Sequence, residues 1–318
     1  MAASLLTQAG RRGLALVLAV VSACASDHRV SPWLDGVRLG DVAPPGDLQE
    51  QLDRVRAEIR ADAMTVDVQR EGKLPDGSPF VLFGLSKVDS LGRRRHAVRV
   101  VTAQAVVLAV GPGEDMDVSA GGRTRLIVSL VEGGGWQSGT DLNHDGLIDV
   151  VVGAMDGTYE VWAVHARGAS PYPMRGLVAP TTAIDIDDDG LPDPAGTIRI
   201  AGVDPIEPRL TEVLVFAGGV YTAEHPKVRT WHERRAGEVT AATIDTDGGA
   251  VARPVVEELR RALESAWHRM RAGQQPDQVL ADADAVARKH APLREGVAQA
   301  WVRWRGKLRD LFPDRERE

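Results

Sequence analysis

From Asp47 onward the apolar residues Leu48, Leu52, Val55 and Ile59 recur at three- and four-residue intervals among charged neighbours. That is the stripe of an amphipathic helix, with Asp47 placed as its N-cap, and the spacing predicts a helix over 47–62. From about Met64 to Trp231 the period shifts to that of strands: Thr65 to Gln69, Phe80 to Leu85, Ala97 to Ala109 with an interruption, and Arg125 to Leu130. Pro75-Asp76-Gly77, Gly111-Pro112-Gly113 and Gly121-Gly122 punctuate these runs as turns. After Pro254 the pattern is helical again, with Val255, Val256, Leu259, Leu263, Ala266, Trp267 and Met270 on one face before Gly273 and Pro276 stop it. A second helix is predicted from Asp277 to Lys289, and a third from about Leu293 to Phe312 on the stripe Leu293, Val297, Trp301, Trp304, Leu308 and Leu311. At these positions Trp267, Trp301 and Trp304 read as core more than as a carbohydrate or partner platform. The chain thus divides into a helix (47–62), a β-repeat domain (63–235) and a helical module (236–318), ending in the solvated tail Asp314-Arg315-Glu316-Arg317-Glu318.

Within the β region two stretches repeat one polar pattern at a 44-residue offset, Asp141-Leu142-Asn143-His144-Asp145-Gly146-Leu147-Ile148-Asp149 and Asp185-Ile186-Asp187-Asp188-Asp189-Gly190-Leu191-Pro192-Asp193. Oxygen-bearing side chains stand at positions 1, 3, 5 and 9, a glycine at position 6 permits the bend, and the carbonyl of Leu147 or Leu191 at position 7 adds a further oxygen. Hard cations such as Ca2+ take six to eight oxygen ligands, and this spacing supplies them from one turn. The candidate ligands are therefore Asp141, Asn143, Asp145, Leu147 and Asp149 in the first loop, and Asp185, Asp187, Asp189, Leu191 and Asp193 in the second. An EF-hand would need a bidentate glutamate at position 12, where Val152 and Gly196 stand instead, which excludes the helix-loop-helix reading. The bland alternative is that Asp, Asn and Gly gather at any turn because they satisfy local backbone groups. Five positions in register, twice, argue against it. A third stretch, Ile244-Asp245-Thr246-Asp247-Gly248-Gly249, lacks the oxygen at position 5 and the closing aspartate, and reads as a decayed copy or an ordinary turn. His144, at position 4, points away from an ion in such a loop and is expected to face solvent.

Each loop runs into strand-forming residues. Asp149-Val150-Val151-Val152-Gly153 leads through the turn signal Asp156-Gly157 to Thr158-Tyr159-Glu160-Val161-Trp162-Ala163-Val164. The second loop is followed by Gly196-Thr197-Ile198-Arg199-Ile200-Ala201-Gly202 and later by Glu212-Val213-Leu214-Val215-Phe216-Ala217-Gly218. Here the sequence resembles the FG-GAP and VCBS-type repeats of integrin-like β-propellers, whose blades carry an Asp-x-Asp-x-Asp-Gly-x-x-Asp calcium loop ahead of a short Val/Ile-rich strand. The resemblance implies a mainly β fold with helical additions, β-propeller-like, in which calcium rigidifies loops of a recognition scaffold. About 170 residues hold roughly three to four blade-like units of ~40 to 45 residues, fewer than a closed propeller usually needs. The expectation is an incomplete or small propeller, or a β-sandwich-like assembly whose edges are covered by the helices.

The N-terminus adds a location. Arg11 and Arg12 precede the apolar stretch Leu14 to Val21, too short to span a bilayer, and Val21-Ser22-Ala23-Cys24 resembles a bacterial lipobox. By that resemblance 1–23 is a lipoprotein signal peptide, Cys24 becomes the lipid-modified first residue, and 24–46, with Pro32, Pro44, Pro45 and Gly46, is a tether. A plain secretory signal with an incidental cysteine is the alternative. Cys24 is the single cysteine, so no disulfide forms within one chain. The protein is expected in the bacterial cell envelope, lipid-anchored and extracytoplasmic, with Ala25 compatible with an outer-membrane destination. Outside the cytoplasm even calcium sites with dissociation constants of ~10⁻⁴ to 10⁻³ M stay filled.

Net charge is −7 from 38 basic and 45 acidic residues, with no long basic run beyond Arg93-Arg94-Arg95, which argues against nucleic acid as a partner. There is no Gly-x-Ser-x-Gly, His-Glu-x-x-His, Walker loop or dinucleotide glycine signature. The eight histidines are scattered, and His232 beside Glu233 reads as a surface pair. Carboxylates that ligate calcium are held ionised, which makes them poor proton donors for hydrolysis. The favoured expectation is a non-catalytic, calcium-binding envelope lipoprotein that acts as a binding, adhesion or assembly scaffold for a protein or glycan partner. An extracytoplasmic hydrolase acting on envelope glycan or peptide is the alternative.

Overall fold

The computed structural model describes residues 47–111, 129–133, 136–153, 157–200, 205–241 and 253–312. The signal segment, Cys24, the tether, the 244–249 stretch and the acidic tail lie outside the described residues, as do Asp156, Ala201, Gly202 and most of the strand expected over 125–130.

The first helix forms where the stripe predicts it. α1 (Leu48–Ala61) is capped by Asp47, whose side chain accepts from the Gln49 N–H, and it buries Leu52, Val55 and Ile59. These residues pack on one face of a four-stranded antiparallel meander of β1 (Thr65–Lys73), β2 (Pro79–Val88), β3 (Arg94–Thr102) and β4 (Val106–Val110), against Val81, Phe83, Leu85, Ala97 and Val101. The opposite face carries Phe80, Leu82, Val98 and Val100, which meet Val150, Val152, Trp162 and Val164 of a second sheet. Both faces of β2 are therefore buried, so it is apolar continuously from Phe80 to Leu85 and does not alternate. The interruption expected between Ala97 and Ala109 is the turn between β3 and β4, where Thr102 Oγ1 accepts from the Ala105 N–H (3.2 Å).

The second sheet is built from β5 (Ser129–Leu130), β8 (Ile148–Gly153), β9 (Tyr159–His165) and β10 (Gly168–Pro171) in the order β10-β9-β8-β5. Here alternation is clean: Val150, Val152, Trp162 and Val164 point to the first sheet, while Val151, Tyr159 and Val161 join Trp136, Leu142, Leu214 and Tyr221 on the other side. The short pair β6 (Glu132–Gly133) and β7 (Trp136–Gln137) precedes the first aspartate loop. Two three-stranded sheets follow. β11 (Met174–Arg175), β16 (Val220–Thr222) and β15 (Val215–Ala217) form one, with its β11–β16 pair parallel. β12 (Thr182–Ile184), β13 (Asp193–Ile198) and β14 (Leu210–Val213) form the other, fully antiparallel. The backbone is closely approached at Gly196 in β13, where an added Cβ would stand 2.6 Å from the Ala179 carbonyl oxygen.

Four helices close the chain: α2 (Pro226–Ala241), α3 (Arg253–Arg271), α4 (Pro276–Lys289) and α5 (Glu295–Leu311). Leu259, Leu263, Trp267, Val279, Leu280, Trp301, Trp304 and Leu308 make one apolar cluster that also takes in Ile198, Ile206 and Leu210, so the helices share a core with the β region. Trp267, Trp301 and Trp304 are buried in it, as their spacing predicts. A buried ion pair adds to this junction: Glu212 on β14 receives Arg271 Nη2 of α3 at 3.1 Å, and its other oxygen accepts from the Leu177 N–H (2.5 Å) and the Val178 N–H (3.1 Å). Burial pushes the Glu212 carboxyl up, and Arg271 and the two N–H groups oppose that shift.

The fold is therefore mainly β, with several antiparallel sheets and five helices, and no sheet closes on itself among the described residues. One boundary needs correcting. Residues 226–235, expected in the β domain, open α2, with Pro226 at its start, so the helical part begins ten residues before 236. The buried residues of α2 are Val228, Trp231, His232 and Ala236, helically spaced but with a histidine among them, which hides the stripe from a count of apolar residues.

Trp267 is fully buried, and its indole N–H donates to the Thr211 carbonyl (2.7 Å). Trp267→Ala is expected to destabilise the fold by about 3–5 kcal/mol, read as a lowered denaturant midpoint at unchanged slope.

Candidate metal centre

The two aspartate loops have the same backbone. Position 4 is left-handed in both, His144 at φ 58° and Asp188 at φ 59°, and the glycine at position 6 follows at 86° and 84°. Non-glycine residues rarely adopt such angles, so the coincidence at equivalent positions reflects a shared turn. Three hydrogen bonds recur as well. The N–H at position 2 donates to the carboxylate at position 9, from Leu142 to Asp149 Oδ2 (2.8 Å) and from Ile186 to Asp193 Oδ2 (3.1 Å). The glycine N–H donates back to position 1, from Gly146 to Asp141 Oδ2 (2.9 Å) and from Gly190 to Asp185 Oδ2 (3.0 Å). The N–H at position 7 donates to position 5, from Leu147 to Asp145 Oδ1 (2.8 Å) and from Leu191 to Asp189 Oδ1 (2.9 Å).

Strand pairing fixes both ends of each loop. Thr140 bridges Asp149 across the first, and Ile184 pairs with Asp193 across the second, both antiparallel. Position 2 plugs each loop into the core: Leu142 is buried beside Trp136 and Val151, and Ile186 beside Val213 and Trp231. Position 9 begins or nearly begins a core strand, which carries a carboxylate inward. Asp149 has no exposed surface, and its Oδ1 has no hydrogen-bond partner among the described residues. Burial pushes the Asp149 carboxyl up to about 7, with Asp145 and Asp141 adding to the shift and the Leu142 N–H opposing it. Asp193 is likewise pushed up to about 7, by burial first and then by Asp187, Asp189 and Asp185, against the Ile186 N–H. Like charges crowding a desolvated carboxylate are the electrostatic mark of a site short of positive charge.

In the second loop, Asp185, Asp187 and Asp193 each offer an oxygen within 4.8 Å of the others, the only such triplet of acidic, histidine or cysteine groups among the described residues. Asp189 is not part of it. In the first loop position 3 is an amide, and the Tyr172 hydroxyl donates to Asp145 Oδ2. Burial pushes the Tyr172 phenol up, so it stays a neutral donor. The partner of the second loop is charged, since Lys227 on α2 forms an ion pair with Asp187 Oδ2. His144 is exposed, as expected. All candidate ligands thus lie on two equivalent turns, and the orphaned buried oxygens of Asp149 and Asp187 fit a cation bound from inside each turn. The two units also touch: the Tyr159 hydroxyl on β9 donates to the Thr182 carbonyl at the mouth of the second loop.

His232 is not on the surface. It is fully buried, and its Nδ1 lies 2.7 Å from Nδ1 of His268 on α3, so one ring donates to the other. The misreading has a simple source, because a histidine inside a charged stretch gives no sign in the sequence of a second histidine 36 residues away. Burial holds the His232 ring down to about 2, helped by His268 and Arg271, and holds His268 down to about 4, helped by Arg235. His268 also faces a cavity of about 530 Å³ lined by Trp231, Arg235, Arg260 and Glu264, in which Arg260 pairs with Glu264 (2.6 Å) and Arg235 with Glu238 (2.5 Å).

No family model, curated protein or solved structure matches the chain.

The histidine pair sets a pH dependence. Both rings are neutral when folded and titrate near 6.5 when unfolded, so the unfolded chain binds more protons as pH falls below that value. The stability they confer is complete above about pH 6.5 and is lost as pH falls from there, down to about pH 4 for His268 and on to about pH 2 for His232, by up to about 1.4 kcal/mol per pH unit for each ring. Asp149 and Asp193, pushed up to about 7, take up protons in the folded state over the same range and act in the opposite sense. The histidine part is therefore read as a difference: from pH 7.5 to 4.5 the urea midpoint of the His232→Leu/His268→Leu variant should rise relative to that of the parent.

Proposed function

We propose that the protein is a non-catalytic, calcium-stabilised lipoprotein of the bacterial cell envelope, held at a membrane by lipid on Cys24 and presenting a β scaffold to a protein or glycan partner. The observation that carries this reading is the recurrence, 44 residues apart, of one turn with the same left-handed residue, the same glycine and the same three internal hydrogen bonds. Calcium would be held by the side-chain oxygens of Asp141, Asn143, Asp145 and Asp149 with the Leu147 carbonyl, and by Asp185, Asp187, Asp189 and Asp193 with the Leu191 carbonyl. The ion supplies the positive charge that the buried position-9 carboxylates lack. Its role is structural: it ties a surface turn to the first residues of a core strand. The sheets packed face to face, each loop ahead of a strand pair, support a blade-like arrangement of the FG-GAP/VCBS kind.

Among the described residues no helix is long and apolar enough to cross a membrane. Attachment in this proposal is through the lipobox cysteine, Cys24. The single cysteine is then consumed by lipidation, and stability falls to packing and metal.

At calcium about 100-fold above its dissociation constant each site adds about 2.7 kcal/mol, which raises the thermal midpoint over that in chelator by roughly 5 °C or more. Asp149→Asn separates a metal site from an ordinary turn. The variant removes a buried charge among like charges, so in chelator it is as stable as the parent or more stable, whereas in millimolar calcium it melts lower. Scanning calorimetry in both conditions reads the crossing, and a variant that ranks the same way in both contradicts the reading. For the anchor, Cys24→Ser is expected to move the protein from the detergent phase to the aqueous phase of a Triton X-114 partition; unchanged partitioning rules lipidation out.

A further inference from the structure

The two loops match in backbone but differ in charge and in what holds them from outside. The oxygen-bearing side chains of the first are three carboxylates and an amide, and those of the second are four carboxylates. A neutral phenol reaches Asp145 in the first loop, while an ammonium reaches Asp187 in the second. The extra carboxylate and the extra cation are the same interaction, because Asp187 occupies the position at which the first loop has Asn143.

Resting on the calcium reading above, we propose that Lys227 is a built-in counter-cation of the second loop, which neutralises Asp187 when no divalent ion is bound and which calcium displaces on binding. Its placement is specific. Lys227 is the second residue of α2, and its N–H donates to His225 Nδ1 (3.3 Å). One residue on, Val228 is buried, as is Trp231 one turn further, both in a cluster with Ile186, Val213 and Val215. The helix that carries the ammonium is thus docked on the strands that carry the loop. Its first turn holds no acidic residue of its own, so Asp187 also supplies the negative charge that a helix N-terminus favours.

The pair is asymmetric in exposure, and that asymmetry permits exchange. The Lys227 side chain is 50% exposed and the Asp187 side chain 11%. Asp187 Oδ1 is buried without a hydrogen-bond partner among the described residues, while Oδ2 faces the ammonium. The lysine can swing into water on its flexible stem, whereas the carboxylate cannot leave. An ammonium beside a divalent ion is a like-charge contact, so occupancy of the loop and the Lys227–Asp187 pair exclude each other. The metal-free loop keeps Asp185, Asp187 and Asp193 gathered because one cation is already there, and binding exchanges it for another. Affinity at the second loop is set lower than its four carboxylates alone would give, and release of Lys227 reports its filling.

The test is calcium titration by calorimetry in an Asp141→Asn/Asp149→Asn background, in which the second loop is read alone, comparing Lys227 with Lys227→Met and Lys227→Gln. Loss of the ammonium should tighten calcium binding by roughly 1.5- to 5-fold, the range expected for an exposed ion pair that binding must break. The thermal midpoint of the Lys227 variants should fall in chelator and recover in saturating calcium, and Lys227→Arg should behave as the parent. If calcium binds all four proteins equally and the chelator midpoints coincide, the counter-cation is refuted while the calcium site stands. If calcium binds none of them, the calcium reading of this loop fails, and the inference falls with it.

Discussion

Each aspartate loop must hold three or four carboxylates within a single turn while its ninth residue begins a strand that enters the core. These demands conflict. A turn of like charges favours opening toward water, whereas strand pairing at Thr140–Asp149 and Ile184–Asp193 holds its ends together. Internal N–H donors relieve part of the conflict, since the amides at positions 2, 6 and 7 point at the carboxylates in both loops. They leave Oδ1 of Asp149 and Oδ1 of Asp187 without hydrogen-bond partners among the described residues, and they do not stop burial from pushing Asp149 and Asp193 up to about 7. A divalent cation is the one small ligand that satisfies several such oxygens at once without adding bulk.

The rest of the molecule is arranged around those two turns. The first feeds β8, whose alternate residues serve two cores at once, Val150 and Val152 toward the first sheet and Val151 toward the aromatic cluster with Trp136 and Tyr221. The second feeds β13, which meets α2 through Ile186, Val228 and Trp231 and the other helices through Ile198. Anything that tightens a loop therefore acts on packing at some distance from it. The helices are coupled to the same strands by Glu212–Arg271 and by the Trp267 N–H to the Thr211 carbonyl, so the β region and the helical region are not independently stabilised.

Much of this was legible in residue order because it depends on local rules. The α1 stripe, the glycines that permit positive φ at positions 6 and the tryptophan-bearing helices follow from periodicity and turn chemistry, which neighbouring residues decide. What was hidden depends on contacts distant in the chain. His232 read as a surface residue because only the fold brings His268 against it. α2 went unread because one of its buried positions is that histidine. The loop ligands could be named from spacing, yet that Tyr172 engages Asp145 and Lys227 engages Asp187 required the positions of elements 27 and 40 residues away. Burial on both faces likewise explains why β2 lacks alternation, a feature that sequence shows and only the second sheet explains.

Calcium stoichiometry tests the central claim most directly. Equilibrium dialysis of the purified chain against radiolabelled calcium in millimolar excess, with magnesium present to suppress nonspecific sites, should give two ions per chain, and one when either loop loses its position-1 and position-9 carboxylates together. A chain that retains no calcium under these conditions would contradict the account.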